Sequence, residues 1–432
     1  MQITVHRGLD QIGGCITEIS TATSRVFIDM GQNLPGVGEP TTPVEDQKMV
    51  ENIFARNLKE HQAVFYTHTH EDHIGLFWAV PDDVPQYLGE ASKGILDQKH
   101  KLIKKALHLK KEKLDKNSPL YSVINEKIQH EVKLIDKISK MRIWQRPKSA
   151  RSPKPMRVGD ISITPYYCSH SSLESYMFLI EVEGKRIWHT GDFRGHGYLG
   201  HALFKTLETY ARDIDTLIIE GTMLGREEAC ITEKEVSKKM EQVMRAFKNV
   251  FVLISATDIE RLVSIKNAAY EANRPQYLDM SSWYIFWTIV IGTHVIGKNY
   301  DWLHFPDIDF VDMSRSLPKD GFVIPVNLTM MGKVRSVLDQ LNPAETLLIY
   351  STWDGYYKDP EQVAINPRYK AFREMFDNVV NIHTSGHASQ ETLAQVITTI
   401  NPKESIIGIH KDPDTSLKSL DIPIELKAKV KE

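Results

Sequence analysis

The sequence predicts an α/β protein made of two sheet-bearing parts. Three observations predict it. The first third reads as short apolar strands separated by turns. From about residue 250, strands and helices alternate, the pattern of a parallel sheet with helical crossovers. A dense run of histidines and carboxylates, Thr67-His68-Thr69-His70-Glu71-Asp72-His73, follows directly on an apolar strand.

The expected early strands are Ile3–Val5, Cys15–Ser20, Arg25–Asp29 and Ala63–Tyr66. A lysine-rich segment, 91–155, comes next and carries helical periodicity, with Ile124, Ile128, Ile135 and Ile138 able to share one stripe. Asn117-Ser118-Pro119 would join its two helices. Asp160–Tyr167 reads as a strand. Tyr176–Val182 and Arg186–His189, linked by Glu183-Gly184, read as a hairpin. Asp215–Glu220 is a further strand. In the alternating region Phe251–Ser255 precedes helical Asp258–Ala272, and Phe322–Val326 precedes Gly332–Leu341. Leu347–Tyr350 precedes a helix near Pro367–Phe376, Val379–His383 precedes Gln390–Ile400, and Ile406–Ile409 closes the pattern. Pro147–Pro155 reads as an exposed loop.

The 432 residues suggest two or three domains at the usual ~150 residues each. Hydrophobic residues make up 41% and charged residues 25%, which excludes a disordered chain, a collagen-like fibre and a disulfide-rich miniprotein. Cys15, Cys168 and Cys230 are scattered, with no CxxC pair, so a reducing compartment, the cytoplasm, is expected. The N-terminus lacks a signal-peptide core, and the most apolar run, Trp283–Ile296, is too short to span a bilayer; no membrane partner is expected. The formal charge of −3 is unevenly spread. Segment 91–155 holds 18 basic and 6 acidic residues, a local +12. That segment is either a solvated helical hairpin or an electrostatic guide for a polyanion.

The histidine run carries the chemistry. His68 and His70 stand two apart and face the same way on extended chain. Asp72 and His73 can turn toward a second ion as the chain enters a helix. Imidazoles and carboxylates suit Zn²⁺ and also Mn²⁺. Two ions need further ligands. His170 ends one expected strand, and Asp192 follows another, with two oxygens able to bridge. Asp29, closing an early strand, could orient a ligand histidine from behind.

This ordered set of strand-end residues resembles the metallo-β-lactamase superfamily, whose hallmark is an αββα sandwich with a dinuclear metal site at one edge. Asp29, then His68, His70, Asp72 and His73, then His170 and Asp192 match its first four motifs in order. The later chain resembles the β-CASP group, its nucleic-acid-processing branch, which includes RNase J and the pre-mRNA 3′-end cleavage endonuclease. Glu220-Gly221-Thr222 resembles motif A, Thr384-Ser385-Gly386-His387-Ala388 motif B, and His410-Lys411-Asp412 motif C.

The resemblance implies a sandwich formed by residues 1–205 and 385–432, with a β-CASP domain, a parallel sheet flanked by helices, inserted at 206–384. It implies two Zn²⁺ per chain, or Mn²⁺. Metal one would take His68, His70, His170 and Asp192; metal two would take Asp72, His73, Asp192 and His410. A hydroxide activated between them would attack an RNA phosphodiester, in exo- or endonuclease fashion. Asp72, His387 and Glu220 are the catalytic candidates. His387 would bind the scissile phosphate or protonate the leaving oxygen, and Glu220 would keep it cationic. Ser385 and Gly386 would offer backbone donors to phosphate, near a helix N-terminus that favours anions. By the same resemblance, histidine at 410 implies RNA rather than DNA; the expected partner is RNA, single-stranded above all. His189, His196 and His201 are expected behind the site or on the surface. A homodimer is compatible with the resemblance, although the chain ends 22 residues after His410, without the further C-terminal domain of RNase J. A small-molecule metallo-hydrolase for an ester, lactone or thioester and a non-catalytic RNA-binding scaffold are the competing functions. The aromatic run Trp283–Phe305 is expected as core or subunit contact, with base stacking as the alternative.

Overall fold

The computed structural model describes residues 1–36, 41–56, 58–144, 154–226, 228, 230–255, 257–279, 309–313 and 315–431. The Trp283–Phe305 run and nearly all of the expected Pro147–Pro155 loop lie outside the described residues.

The chain opens with a six-stranded sheet in sequential order. β1 (Gln2–Arg7), β2 (Ile16–Ser20) and β3 (Ser24–Ile28) pair antiparallel. β4 (His61–Phe65), β5 (Gln86–Leu88) and β6 (Arg142–Ile143) add parallel to β3. A second sheet starts with β7 (Met156–Val158), β8 (Ile161–Cys168), β9 (Ser175–Val182) and β10 (Lys185–His189), all antiparallel neighbours. β11 (Thr216–Glu220) joins β10 in parallel.

The chain then builds a separate four-stranded parallel sheet from β12 (Asn249–Leu253), β15 (Phe322–Val326), β16 (Thr346–Tyr350) and β17 (Val379–Asn381). A two-stranded pair, β13 (Tyr277–Asp279) and β14 (Asp309–Val311), accompanies it. Finally β18 (Ser405–Ile409) and β19 (Val430–Lys431) return to the second sheet, β18 lying beside β11. The exit from the second sheet is thus after Glu220. The expected boundary at 205/206 falls before β11, which pairs with both β10 and β18.

Strand alternation places the cores. In β9, Tyr176, Phe178 and Ile180 face the first sheet, while Met177 and Leu179 face the helices Leu203–Tyr210 and Gln390–Ile400. In β3, Val26 and Ile28 share the inter-sheet core; Arg25 and Phe27 turn outward onto the helix Pro43–Ala55. Both faces being covered, these strands read as continuous apolar runs. In β12, Val250 and Val252 pack one way and Phe251 and Leu253 the other, so helices cover both faces of the inserted sheet.

The basic segment forms two helices, Glu90–Glu112 and Pro119–Lys140. Ser118 caps the second by accepting from Leu120 N, with Pro119 in the first turn, as the turn residues predict. Ile124, Ile128, Leu134 and Ile138 are its buried stripe. Leu134 replaces the expected Ile135, which is only half-buried. The hairpin's base packs inward through Ala91, Ile95 and Leu96, whereas residues from Lys101 outward are largely exposed. Among the described residues, no helix is long and apolar enough to cross a membrane.

Candidate metal centre

The expected ligands, with Asp29 and Glu220, gather where strands end on one rim of the two sheets. Asp29 follows β3, Thr67 to His73 follow β4, His170 follows β8, Asp192 follows β10, Glu220 ends β11 and His410 follows β18. Asp29 (φ 65°) and His410 (φ 52°) both adopt left-handed backbone as the chain leaves its strand. Such conformations cost on the order of 1–3 kcal/mol in a non-glycine residue and persist where surrounding contacts hold them. Gly31 packs against the turn carrying Asp72; a Cβ there would fall 1.8 Å from Asp72 O, so only glycine fits.

The imidazoles are tied back at one nitrogen. His73 Nδ1 donates to Asp29 Oδ2 at 2.7 Å. Asp29 also accepts from Thr67 N at 2.7 Å and Thr67 Oγ1 at 2.8 Å. Since the Thr67 hydroxyl spends its proton on Asp29, its oxygen accepts from His68 Nδ1 at 3.0 Å. His170 Nδ1 donates to Gly386 O at 2.6 Å. His410 Nδ1 lies 2.7 Å from Thr222 Oγ1. In each case the other nitrogen, Nε2, is left to face the cluster with a lone pair, the arrangement of a metal-binding histidine.

Those free atoms converge. His70 Nδ1 lies 3.0 Å from His68 Nε2 and 3.1 Å from His170 Nε2. Asp72 Oδ2 lies 3.0 Å from His410 Nε2 and 3.8 Å from His73 Nε2. Asp192 Oδ2 stands between the two groups, 3.1 Å from His73 Nε2, 3.6 Å from His410, 3.9 Å from His170 and 4.0 Å from His68. Four ligands ~2.1 Å from one tetrahedral ion stand ~3.4 Å apart, which is this range. His73 Nε2 is fully buried and, though Asp192 Oδ2 is 3.1 Å away, makes no well-aligned hydrogen bond, so a cation between the two would satisfy both. The donor set therefore fits divalent metal.

For three of the rings the electrostatics agree, whereas at His73 burial is outweighed by Asp192 and its neighbours, which raise it. Burial, reinforced by neighbouring imidazoles, pushes His68 and His170 well below the usual histidine range, and burial takes His70 down to about 4. Neutral rings are what metal binding requires. Burial alone would raise Asp72 and Asp192, yet the adjacent histidines hold both carboxylates below their ordinary values. Both stay anionic. With [metal] about 100-fold above Kd, Zn²⁺ or Mn²⁺ is expected to stabilise the fold by ~2.7 kcal/mol per site, seen as a rise in Tm that a chelator reverses. No rise at saturating metal would refute the site.

His387 flanks the cluster, its Nδ1 3.1 Å from Glu220 Oε2 and 3.7 Å from Asp192 Oδ2. Its side chain remains 21% exposed, while His68, His73, His170 and His410 are sealed. Burial would lower it, but Glu220 and Asp192 together raise it. The fully buried Glu220 also accepts from Phe193 N, Thr222 N and Ala388 N. Ser385 and Gly386 lie in the same loop. Ser385 Oγ accepts from His387 N at 3.1 Å, and the Gly386 carbonyl holds His170. Of the donors expected at the nearby helix N-terminus, Thr392 N is capped by Ser389.

Sequence reasoning did not pick out Thr67 or the Gly386 carbonyl as contacts of the ligands, nor the Thr222 hydroxyl. It also missed Cys15, whose buried thiol approaches His73 and His410. Burial raises that thiol well above its usual value. His189 is buried, its Nδ1 accepting from Gly191 N, and His196 Nε2 donates to Ser385 O; His201 is exposed.

No family model matches the chain. It is 22% identical to Ribonuclease J of Helicobacter pylori (strain B128), covering 93% of this chain and 55% of that protein. It is 24% identical to Ribonuclease J of Thermus thermophilus, covering 92% of this chain and 66% of that protein. The chain spans between half and two thirds of the length of these relatives. A crystal structure of a protein of unknown function from Enterococcus faecalis V583 has a TM-score of 0.65 at 19% identity, covering 95% of this chain and 93% of that one. That likeness establishes a shared fold.

Proposed function

We propose that the chain, 22–24% identical to the Ribonuclease J proteins, is an RNase J-like β-CASP metallo-β-lactamase and a metal-dependent ribonuclease hydrolysing RNA phosphodiester bonds. The observation that carries this reading is the convergence of four tied-back imidazoles, His70 and two anionic carboxylates beside the half-open His387–Glu220 pair. In this reading the two facing sheets with their outer helices are the αββα sandwich, and the four-stranded parallel unit is the β-CASP insertion.

His68, His70, His170 and Asp192 would hold one divalent ion, and Asp72, His73, Asp192 and His410 a second. When bound, such a pair supplies an activated water and neutralises charge developing on phosphate. Asp192, whose Oδ2 stands between the two sets of ligand atoms, would serve both. Glu220 holds His387 protonated, and the open edge of His387 presents that proton to the leaving oxygen. Residue 410, being histidine, points to RNA. The free Cys15, Cys168 and Cys230 suit a reducing compartment, the cytoplasm.

The helical hairpin is the proposed electrostatic guide for the polyanion. Lys99, midway along the lysine-rich helix, pairs with Glu71 inside the histidine motif, and the exposed lysines follow from Lys101. Changing Lys104, Lys105, Lys110 and Lys111 to Glu is expected to weaken RNA binding. The log–log salt slope should fall by ~0.7–0.9 for each phosphate no longer neutralised. An unchanged slope would return the hairpin to a solvated surface.

The deciding experiment is a time course on single-stranded RNA labelled at a 5′-monophosphate end, with Zn²⁺ or Mn²⁺ and a matched DNA. RNA-only release of labelled mononucleotide would establish a 5′-exoribonuclease, and labelled intermediates an endonuclease. No RNA cleavage by metal-loaded protein would overturn the proposal.

A further inference from the structure

Behind the metal centre, away from its open side, lies a buried network of charges that no step above uses. Arg194, Glu233, Asp258, Glu260 and Arg261 are all buried, and both arginines are sealed. Glu260 and Arg261 open the helix Ile259–Glu271, which belongs to the inserted part; Glu233 opens the neighbouring helix Glu233–Met244. Arg194 stands two residues beyond Asp192.

The bonds of this network end on the loops that carry site residues. Ser169, which precedes His170, donates its hydroxyl to Glu260 at 2.9 Å, while its carbonyl accepts from Arg194 N at 2.7 Å. The Arg194 guanidinium reaches Glu260 at 2.7 Å, Glu233 at 3.1 Å and the Ser385 carbonyl at 3.2 Å. Arg261 pairs with Glu233 at 2.9 Å and donates to Ser351 Oγ at 2.6 Å and to the Thr384 carbonyl at 3.1 Å. Two guanidinium groups therefore hold two consecutive carbonyls, Thr384 and Ser385, and His196 Nε2 adds a second donor to Ser385 O at 2.7 Å. The next residue, Gly386, supplies the carbonyl that orients His170; the one after is His387. Gly197 lets the chain close over this network, since a Cβ there would lie 1.9 Å from Ser169 Oγ and 2.1 Å from Glu260 Oε2.

We infer that Glu260 and Arg261 are positioning residues: through Ser169, Arg194 and the Thr384 and Ser385 carbonyls, the inserted part sets the aim of His170 and His387. An apolar contact would join the two parts at least as stably, because buried ion pairs contribute little net stability. What paired guanidinium groups add is directional hold on specific carbonyl oxygens. The distances matter because a misplacement of ~1 Å at a reacting group can cost ~10²-fold in rate.

The inference rests on the ribonuclease reading only for its activity arm. Arg261→Lys keeps the charge beside Glu233 but cannot span Thr384 O and Ser351 together. Ser169→Ala, a milder variant, removes only the bond to Glu260. In the full, metal-free chain, Arg261→Lys is expected to speed amide exchange in residues 384–388 and leave β2 at the parent rate. Zn²⁺ affinity, from chelator competition, is expected to fall by ~10–100-fold, as for other groups that orient metal ligands. On single-stranded RNA, kcat should fall in both variants with KM near the parent value. Parent exchange, affinity and kcat in both variants would overturn the clamp. So would exchange that rises throughout the molecule with a lowered Tm, the signature of a merely structural role. If the parent cleaves no RNA, the ribonuclease reading fails, while exchange and Zn²⁺ affinity still decide the clamp.

Discussion

Asp192→Ala is expected to empty the metal centre and abolish turnover. One oxygen of this carboxylate stands 3.1 Å from His73, 3.6 Å from His410 and 3.9–4.0 Å from His170 and His68, so both sets of imidazoles share it. Outer groups that merely orient a ligand are worth ~10–100-fold in metal affinity. Removing a ligand common to both ions should exceed that. The metal-free variant should still fold, because the buried imidazoles can shed their protons once their anion is gone. Elemental analysis after gel filtration, together with turnover on RNA, checks the outcome. A variant retaining two ions per chain and the parent rate would refute the bridging assignment.

His387→Ala is expected to separate chemistry from metal binding. His387 makes its closest contact with Glu220, at 3.1 Å, and its Nδ1 is 3.7 Å from Asp192. It is not one of the ligands proposed for either ion, although it approaches Asp192 Oδ2, the oxygen that also lies near His73. Both ions should therefore remain, while turnover falls by the ~10²–10⁴-fold typical of a lost general acid. Glu220→Gln should show a smaller loss. It removes the anion that holds His387 protonated but preserves the acceptor for Phe193 N and Ala388 N. RNA cleavage at the parent rate by His387→Ala would remove this residue from the chemistry.

The legible parts of the fold are those whose signal is local. Gln390–Ile400 and Phe322–Val326 match their expected bounds, because amphipathic spacing and a capping serine mark the helix, and a short apolar run marks the strand. β6 and β19, of two residues each, carry no period to detect. Thr216–Glu220 is legible as a strand but not as a member of the second sheet. Its partners, β10 and β18, lie on either side of it in the sequence, and β18 begins nearly two hundred residues later.

The same division runs through the candidate metal centre. His68, His70, Asp72 and His73 declare themselves in one short run, and Asp29, His170, Asp192, Glu220, His387 and His410 by their place at strand ends. These residue types, their order and the α/β architecture can be read along the chain, since each depends on near neighbours. Which atom faces which is a matter of three-dimensional packing alone. Thr222 meets His410 across 188 residues, Gly386 meets His170 across 216, and Arg194 meets Glu260 across 66. Side-chain aim depends on the register and packing of distant strands, and strand periodicity sets only which face a residue occupies. The same long-range packing brings Cys15, silent in the sequence, against His73 and His410.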